Sequence, residues 1–222
     1  MLLSIDTSTR AVGVALYDGV RVLNETIWLS KNYHTVELAP AVAETLSRAG
    51  VEAGDLQAVG VALGPGSFTG LRIGLALAKG LAFSRRLPLI GIPTLDVLAA
   101  SQPVRDVPLA AVLEAGRKRL AVGWYHPEDG RWQSTGKLEN LTLDEFVASI
   151  SEPTLVCGEL KAEARRHLKH KHENMILASP AQSVRRPAFL AELAWARWQA
   201  GKTDDPATLA PIYLHHGEPI PG

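Results

Sequence analysis

Residues 1–16 read MLLSIDTSTRAVGVAL, and Tyr17-Asp18-Gly19-Val20 follows. Two apolar runs, at 2–5 and 12–17, flank the polar string Asp6-Thr7-Ser8-Thr9. Asp18-Gly19 marks a tight hairpin whose two central positions call for positive φ. Residues 20–28 then read as a third strand. The chain therefore opens with strand, polar loop, strand, hairpin, strand.

Leu38, Val42 and Leu46 recur every four residues, which predicts one apolar stripe on a helix over 35–49 that Gly50 ends. A strand is expected at 58–63, a long helix ending near Arg85, a short strand at 88–91 and a helical turn or two at 94–100. The order is βββαβαβα. The second half repeats it loosely. Strands are expected at 109–113, 119–125 and 131–138, with a hairpin turn at Pro127-Glu128-Asp129-Gly130. Thr142-Leu143-Asp144-Glu145 has the form of a capping box opening a helix. A strand at 154–158, a helix at 159–170 and a strand at 175–178 follow. Pro187, at a first helical position where it costs no hydrogen bond, opens a last helix that ends at Gly201. Two halves of matching order predict a duplicated two-lobed α/β fold of the actin-like (ribonuclease H-like) kind, with lobes at 1–103 and 104–222.

The composition bounds the function. Of 222 residues, 46% are hydrophobic and 21% charged, the profile of a globular protein. Formal net charge is zero, whereas a protein that grips nucleic acid alone carries a basic excess. The single cysteine, Cys157, excludes an intrachain disulfide. Asp6 breaks the first apolar run and no basic segment precedes it, so no signal peptide is expected, and no apolar stretch is long enough to span a bilayer. A cytoplasmic protein with no membrane partner is the expectation.

Two strings carry candidate chemistry. Asp6-Thr7-Ser8-Thr9 reads either as an ordinary turn or as a phosphate-cradling loop, with Asp6, Thr7 and Ser8 as possible nucleotide-binding residues. In the second case the carboxylate holds magnesium through water, and hydroxyls and backbone N–H groups face phosphate oxygens. The string GPGSFTGLRIG at 64–74 is the most specific in the chain. It lacks the Lys of a phosphate-binding P-loop and the spacing of a nucleophile elbow. It reads as a helix entry capped by Ser67 or Thr69. Within that helix Gly70, Gly74, Ala78 and Ala82 make a stripe of small residues. Glycine costs about 1 kcal/mol against alanine in a helix interior, so the stripe implies close approach by another element. That element is either the 35–49 helix of this chain or a helix of another subunit.

These strings, with SIDTST at 4–9 and His34 just before a helix, resemble the TsaB (YeaZ) family of the bacterial tRNA threonylcarbamoyladenosine machinery. The resemblance is strongest from Met1 to about Ala100. It implies an actin-like fold and a non-catalytic dimerisation or scaffold subunit in formation of N6-threonylcarbamoyladenosine at position 37 of ANN-decoding tRNAs. It also implies a homologous catalytic partner (TsaD type), a small ATPase (TsaE type), a homodimer when alone, and tRNA contact mainly through the complex. By resemblance the partner interface lies on the first-lobe helices, at Leu38, Val42, Leu46, Gly70, Gly74, Ala78 and Ala82. No catalytic residue, metal ligand or cofactor of this chain's own is implied, while ATP and magnesium belong to the complex.

An actin-like ATPase or sugar kinase is the alternative. Asp6-Thr7-Ser8-Thr9 favours it. Many relatives carry Asp-Ala-Arg in the second lobe, where this chain has Glu114-Ala115-Gly116-Arg117, and Tyr-Leu-Arg where it has Tyr213-Leu214-His215; both departures oppose it. A metallopeptidase reading finds no histidine pair at i, i+4. His167, His170 and His172 lie among Arg165, Arg166, Lys169 and Lys171 and read as a solvated basic face. His34 reads as a helix-entry residue.

Overall fold

The computed structural model describes residues 1–31, 34–116, 118–171 and 173–214; of residues 169–171 only the backbone is described. The readings of Arg117, His170, His172, His215 and the lysine side chains at 169 and 171 lie outside the described residues.

Two compact units make up the chain, the first from Met1–Val97 and Arg185–Pro211, the second around Leu98–Val184. In the first unit β1 (Leu2–Asp6), β2 (Ala11–Tyr17), β3 (Val22–Leu29), α1 (His34–Arg48), β4 (Ala58–Ala62), α2 (Phe68–Arg85), β5 (Leu89–Ile92) and α3 (Thr94–Ala100, which runs into the second unit) follow in order. The sheet order is β3-β2-β1-β4-β5. β1 pairs antiparallel with β2 and parallel with β4. The parallel pair needs a crossover, which the α1 segment supplies.

The second unit holds β6 (Leu109–Glu114), β7 (Arg119–Glu128), β8 (Arg131–Thr142), α4 (Leu143–Ser149), β9 (Thr154–Glu159), α5 (Ala162–Lys171) and β10 (Met175–Leu177). Its sheet order β10-β9-β6-β7-β8 is the first order repeated, so the duplicated actin-like α/β fold stands. Phe146 of α4 and Leu168 of α5 are fully buried against Val112, Val122 and Val156.

The last helix departs from the sequence division at 103/104. α6 (Pro187–Gln199) belongs to the first unit, where it covers a face of the first sheet. Leu190, Ala191 and Ala194 pack with Leu2, Ala58, Ala62, Ile90, Ile92 and Val97. Period-two alternation then turns Leu3, Ile5, Val59 and Val61 to the opposite face, which α1 and α2 cover. A sheet whose strands are buried on both faces needs helices on both, and on the α6 side the first half of the chain supplies only Val97 of the short α3. Small residues let α6 lie close: a Cβ on Gly60 would stand 2.8 Å from Ala194, and one on Gly13 2.9 Å from Pro187.

The two hairpins also differ from expectation. At Asp18-Gly19 only Gly19 has positive φ, and pairing resumes at Tyr17 with Val22. The Asp18 carboxylate accepts the N–H groups of Val20 and Arg21, so this is a longer, side-chain-capped loop. The two-residue form with both φ positive occurs at Asp129-Gly130 instead, between Glu128 and Arg131.

Candidate functional site

The two informative strings meet in space. The 6–9 loop leaves the C-terminal end of β1 and lies directly against the start of α2. Ser67 caps α2, accepting the Gly70 N–H, and its own N–H donates to Ser8 O at 2.6 Å. The Thr7 hydroxyl donates to Gly70 O at 2.7 Å. A Cβ on Gly66 would stand 2.2 Å from Ser8 O, one on Gly70 2.2 Å from Thr7 O, and one on Gly74 2.2 Å from Thr7 Oγ1. Each distance is far inside contact, so any side chain at these positions collides with the loop. Gly66, Gly70 and Gly74 are therefore the complement of the 6–9 loop.

This answers the question of what approaches the small-residue stripe. Its partner at Gly70 and Gly74 is the β1–β2 loop of the same chain, neither of the two helices considered above. Gly70, Gly74, Ala78 and Ala82 are buried within this chain, as are Leu38, Val42 and Leu46 of α1. These seven residues hold α1 and α2 on the first sheet and present no side chain to a second subunit. The outward faces of the same helices carry other residues. Val36 on α1 is 69% exposed, and Phe68 and Phe83 on α2 are 54% and 85% exposed. Arg72 stacks over the Phe68 ring at 3.7 Å. Leu29, at the end of β3, is exposed as well.

Asp6, Thr7 and Ser8 are brought together as the sequence suggests, but inside the unit, at 1%, 1% and 0% exposure. The Ser8 N–H donates to Asp6 Oδ1 at 2.8 Å. The Ser8 hydroxyl shares a hydrogen bond with Thr94 Oγ1, which also accepts the Gly64 N–H. Asp6 Oδ2 meets Arg185 Nε at 2.8 Å, and both side chains are buried. The guanidinium goes on to Thr9 Oγ1 at 3.0 Å and Ala11 O at 2.9 Å. Deleting one partner of such a buried pair costs about 3–5 kcal/mol, because the survivor is an uncompensated charge. A hydrated divalent cation and a phosphate need exposed oxygens and outward N–H groups; here those of Asp6, Thr7 and Ser8 are turned inward. The residues present do not fit magnesium nucleotide.

Sequence reasoning missed Arg185, which sits 179 positions from Asp6. The only local signal is its place beside Arg186-Pro187 at the start of α6. Arg186 and the Ala188 N–H both bond the Glu25 carboxylate of β3, which holds the Arg186 pKa above its usual value. The Ser4 hydroxyl donates to Pro187 O at 2.7 Å. Three contacts thus pin the N-terminus of α6 to the first sheet. His34 opens α1 as expected, buried, with Nε2 3.2 Å from Thr9 O.

In the second unit Glu114 ends β6. Its carboxylate accepts the Lys161 N–H and pairs with the Lys161 ammonium, which raises the Lys161 pKa. His167 lies 3.2 Å from Asp144. Among the described residues no group of three or more His, Cys, Asp or Glu is placed to hold a metal ion, and no helix is long and apolar enough to cross a membrane.

Two sheets of one order, each with β3-β2-β1-type antiparallel strands beside a parallel trio, define a protein of the actin-like α/β class. Residues 28–148 match the family described as TsaD: tRNA N6-adenosine threonylcarbamoyltransferase. The chain is 31% identical to the tRNA threonylcarbamoyladenosine biosynthesis protein TsaB of Bacillus subtilis, covering 98% of this chain and 95% of that one. Against TsaB of Escherichia coli identity is 42% over 98 residues, 44% of this chain and 42% of that one. A Pseudomonas aeruginosa crystal structure described as an uncharacterized protein with similarity to peptidase YeaZ superposes with TM-score 0.80 at 25% identity, over 96% of this chain and 99% of that one. The chain belongs to the TsaB family.

Proposed function

We propose that this chain is a non-catalytic dimerisation subunit in tRNA threonylcarbamoyladenosine biosynthesis. It pairs with a homologous catalytic subunit of the TsaD type, works alongside a small ATPase of the TsaE type, and forms a homodimer when alone. The complex modifies adenosine 37 of ANN-decoding tRNAs in the cytoplasm, and tRNA is reached mainly through the partner. The pathway follows from membership of the TsaB family. The observation that carries the scaffold role is the apolar outer surface of α1 and α2, where Val36, Phe68 and Phe83 stand exposed. Phe68 and Phe83 stand near opposite ends of α2, so the face they mark runs the length of that helix, and large aromatic anchors contribute most of the binding energy at interaction surfaces. Zero net charge supports tRNA contact through another subunit.

The test is capture of the tagged catalytic homologue by Val36→Asp and Phe83→Asp variants. Both positions face solvent, so folding is expected to be unchanged by circular dichroism. A loss of about 10-fold or more in affinity, equivalent to about 1.4 kcal/mol or more, is expected for at least one of them. Capture at the level of the unaltered protein by both variants refutes the proposed face.

A further inference from the structure

We infer that Arg185 supplies the positive charge that Asp6 requires, so that the 6–9 loop is an anchor for the C-terminal helix and takes no magnesium nucleotide. The carboxylate is 1% exposed and already meets the guanidinium at 2.8 Å on one oxygen and the Ser8 N–H at 2.8 Å on the other. The guanidinium is fixed from two further sides, by Thr9 Oγ1 and Ala11 O. Magnesium demands near-octahedral oxygen ligands at about 2.0–2.1 Å and keeps several waters, and that shell cannot form on a carboxylate sealed against a cation. Releasing Asp6 for a metal ion would leave Arg185 charged, buried and without its counter-ion. The hydroxyls that would turn to phosphate are held by Gly70 O and Thr94 Oγ1, and the backbone at Gly66, just before α2, and at Gly70, in its first turn, lies against the loop from the other side. Arg185 immediately precedes α6, so the same ion pair that neutralises the loop fixes where that helix begins. This role is independent of any partner subunit.

Two measurements on the full chain test it. The first is the melting temperature, and calorimetric titration, with Mg-ATP, Mg-ADP and Mn²⁺ as probes. No shift and no binding heat are expected; a response retained in Asp6→Asn lies elsewhere on the chain and leaves the assignment standing. A response present in the unaltered protein and lost in an Asp6→Asn protein that circular dichroism shows to be folded overturns it. The second compares urea unfolding of Asp6→Leu, Arg185→Met and the double variant. Each single change is expected to raise the unfolding constant by ~100-fold or more, and the double variant by much less than the two combined. Amide exchange over Pro187–Gln199 should quicken in Arg185→Met. Additive losses, or an Arg185→Met protein as stable as the unaltered chain with α6 protection intact, overturn the assignment.

Discussion

Replacing Gly74 by alanine adds one methyl to the middle of α2, and its position decides the outcome. The new Cβ would stand 2.2 Å from Thr7 Oγ1 and 3.3 Å from both Thr7 Cβ and Cγ2. That is about 1.3 Å inside the ~3.5 Å at which heavy atoms make good contact. Threonine has a stiff χ1, and only one rotation moves Oγ1 away without bringing Cγ2 into its place. That rotation breaks the hydrogen bond to Gly70 O and leaves a buried hydroxyl unpaired, at about 1–3 kcal/mol. It also drives Cγ2 into packed surroundings, at about 1–3 kcal/mol of strain. Against this stands about 1 kcal/mol of helix propensity gained. The net expectation is a loss of about 3 kcal/mol, from these terms together. Gly80 in the same helix is the control: nothing lies within 4 Å of a Cβ there, so Gly80→Ala should gain about 1 kcal/mol. Urea unfolding followed by tryptophan fluorescence measures both. Thr7→Ala combined with Gly74→Ala should recover part of the loss, since the colliding oxygen is gone. A Gly74→Ala protein as stable as the unaltered chain would refute the packing of loop on helix. A bulky side chain at Gly74 consequently reports folding and not subunit pairing.

Burial in β9 pushes the Cys157 thiol up to about 12, so iodoacetamide at pH 8 should label it only as the second unit unfolds; rapid labelling of the folded protein would contradict the burial. The Thr142 N–H donates to the Glu145 carboxylate and holds its pKa below the usual value. A carboxyl depressed in the folded state stabilises above its unfolded pKa of about 4.3 and loses that contribution as pH falls through the lower folded value. Protection of the α4 amides, measured against their intrinsic exchange rates at each pH, should therefore fall below about pH 4, and Glu145→Gln should flatten that pH dependence; a profile identical in both proteins would exclude the cap as its source.

Much of this was legible locally. Periodicity at Leu38, Val42 and Leu46 placed α1, the capping box at Thr142 placed α4, and Pro187 opened α6, because each signal concerns atoms within a turn of one another. The hairpins show the limit. Asp-Gly serves a two-residue turn only where strand pairing runs up to it, as at Glu128 and Arg131; at Asp18-Gly19 Trp195 lies against Gly19, so close that a Cβ would stand 2.4 Å from its ring. The stripe of small residues was visible in α2, but what lies against it was not, because composition gives the depth of a groove and not its occupant. Arg185 was illegible for the same reason: its place before Arg186-Pro187 marks a helix start, but nothing in either neighbourhood names a partner 179 positions away.

The return of α6 sets an order of events during synthesis. All five strands of the first sheet leave the ribosome by residue 92, yet one face, with Leu2, Ala58, Ile90 and Ile92, has only Val97 of α3 against it until the segment beginning at Pro187 emerges. For the time needed to translate the whole second unit, a greasy half-sandwich waits in the open, a natural client for a holding chaperone. A stop codon anywhere before α6 would thus strip the N-terminal unit of its lining while leaving each of its own strands intact.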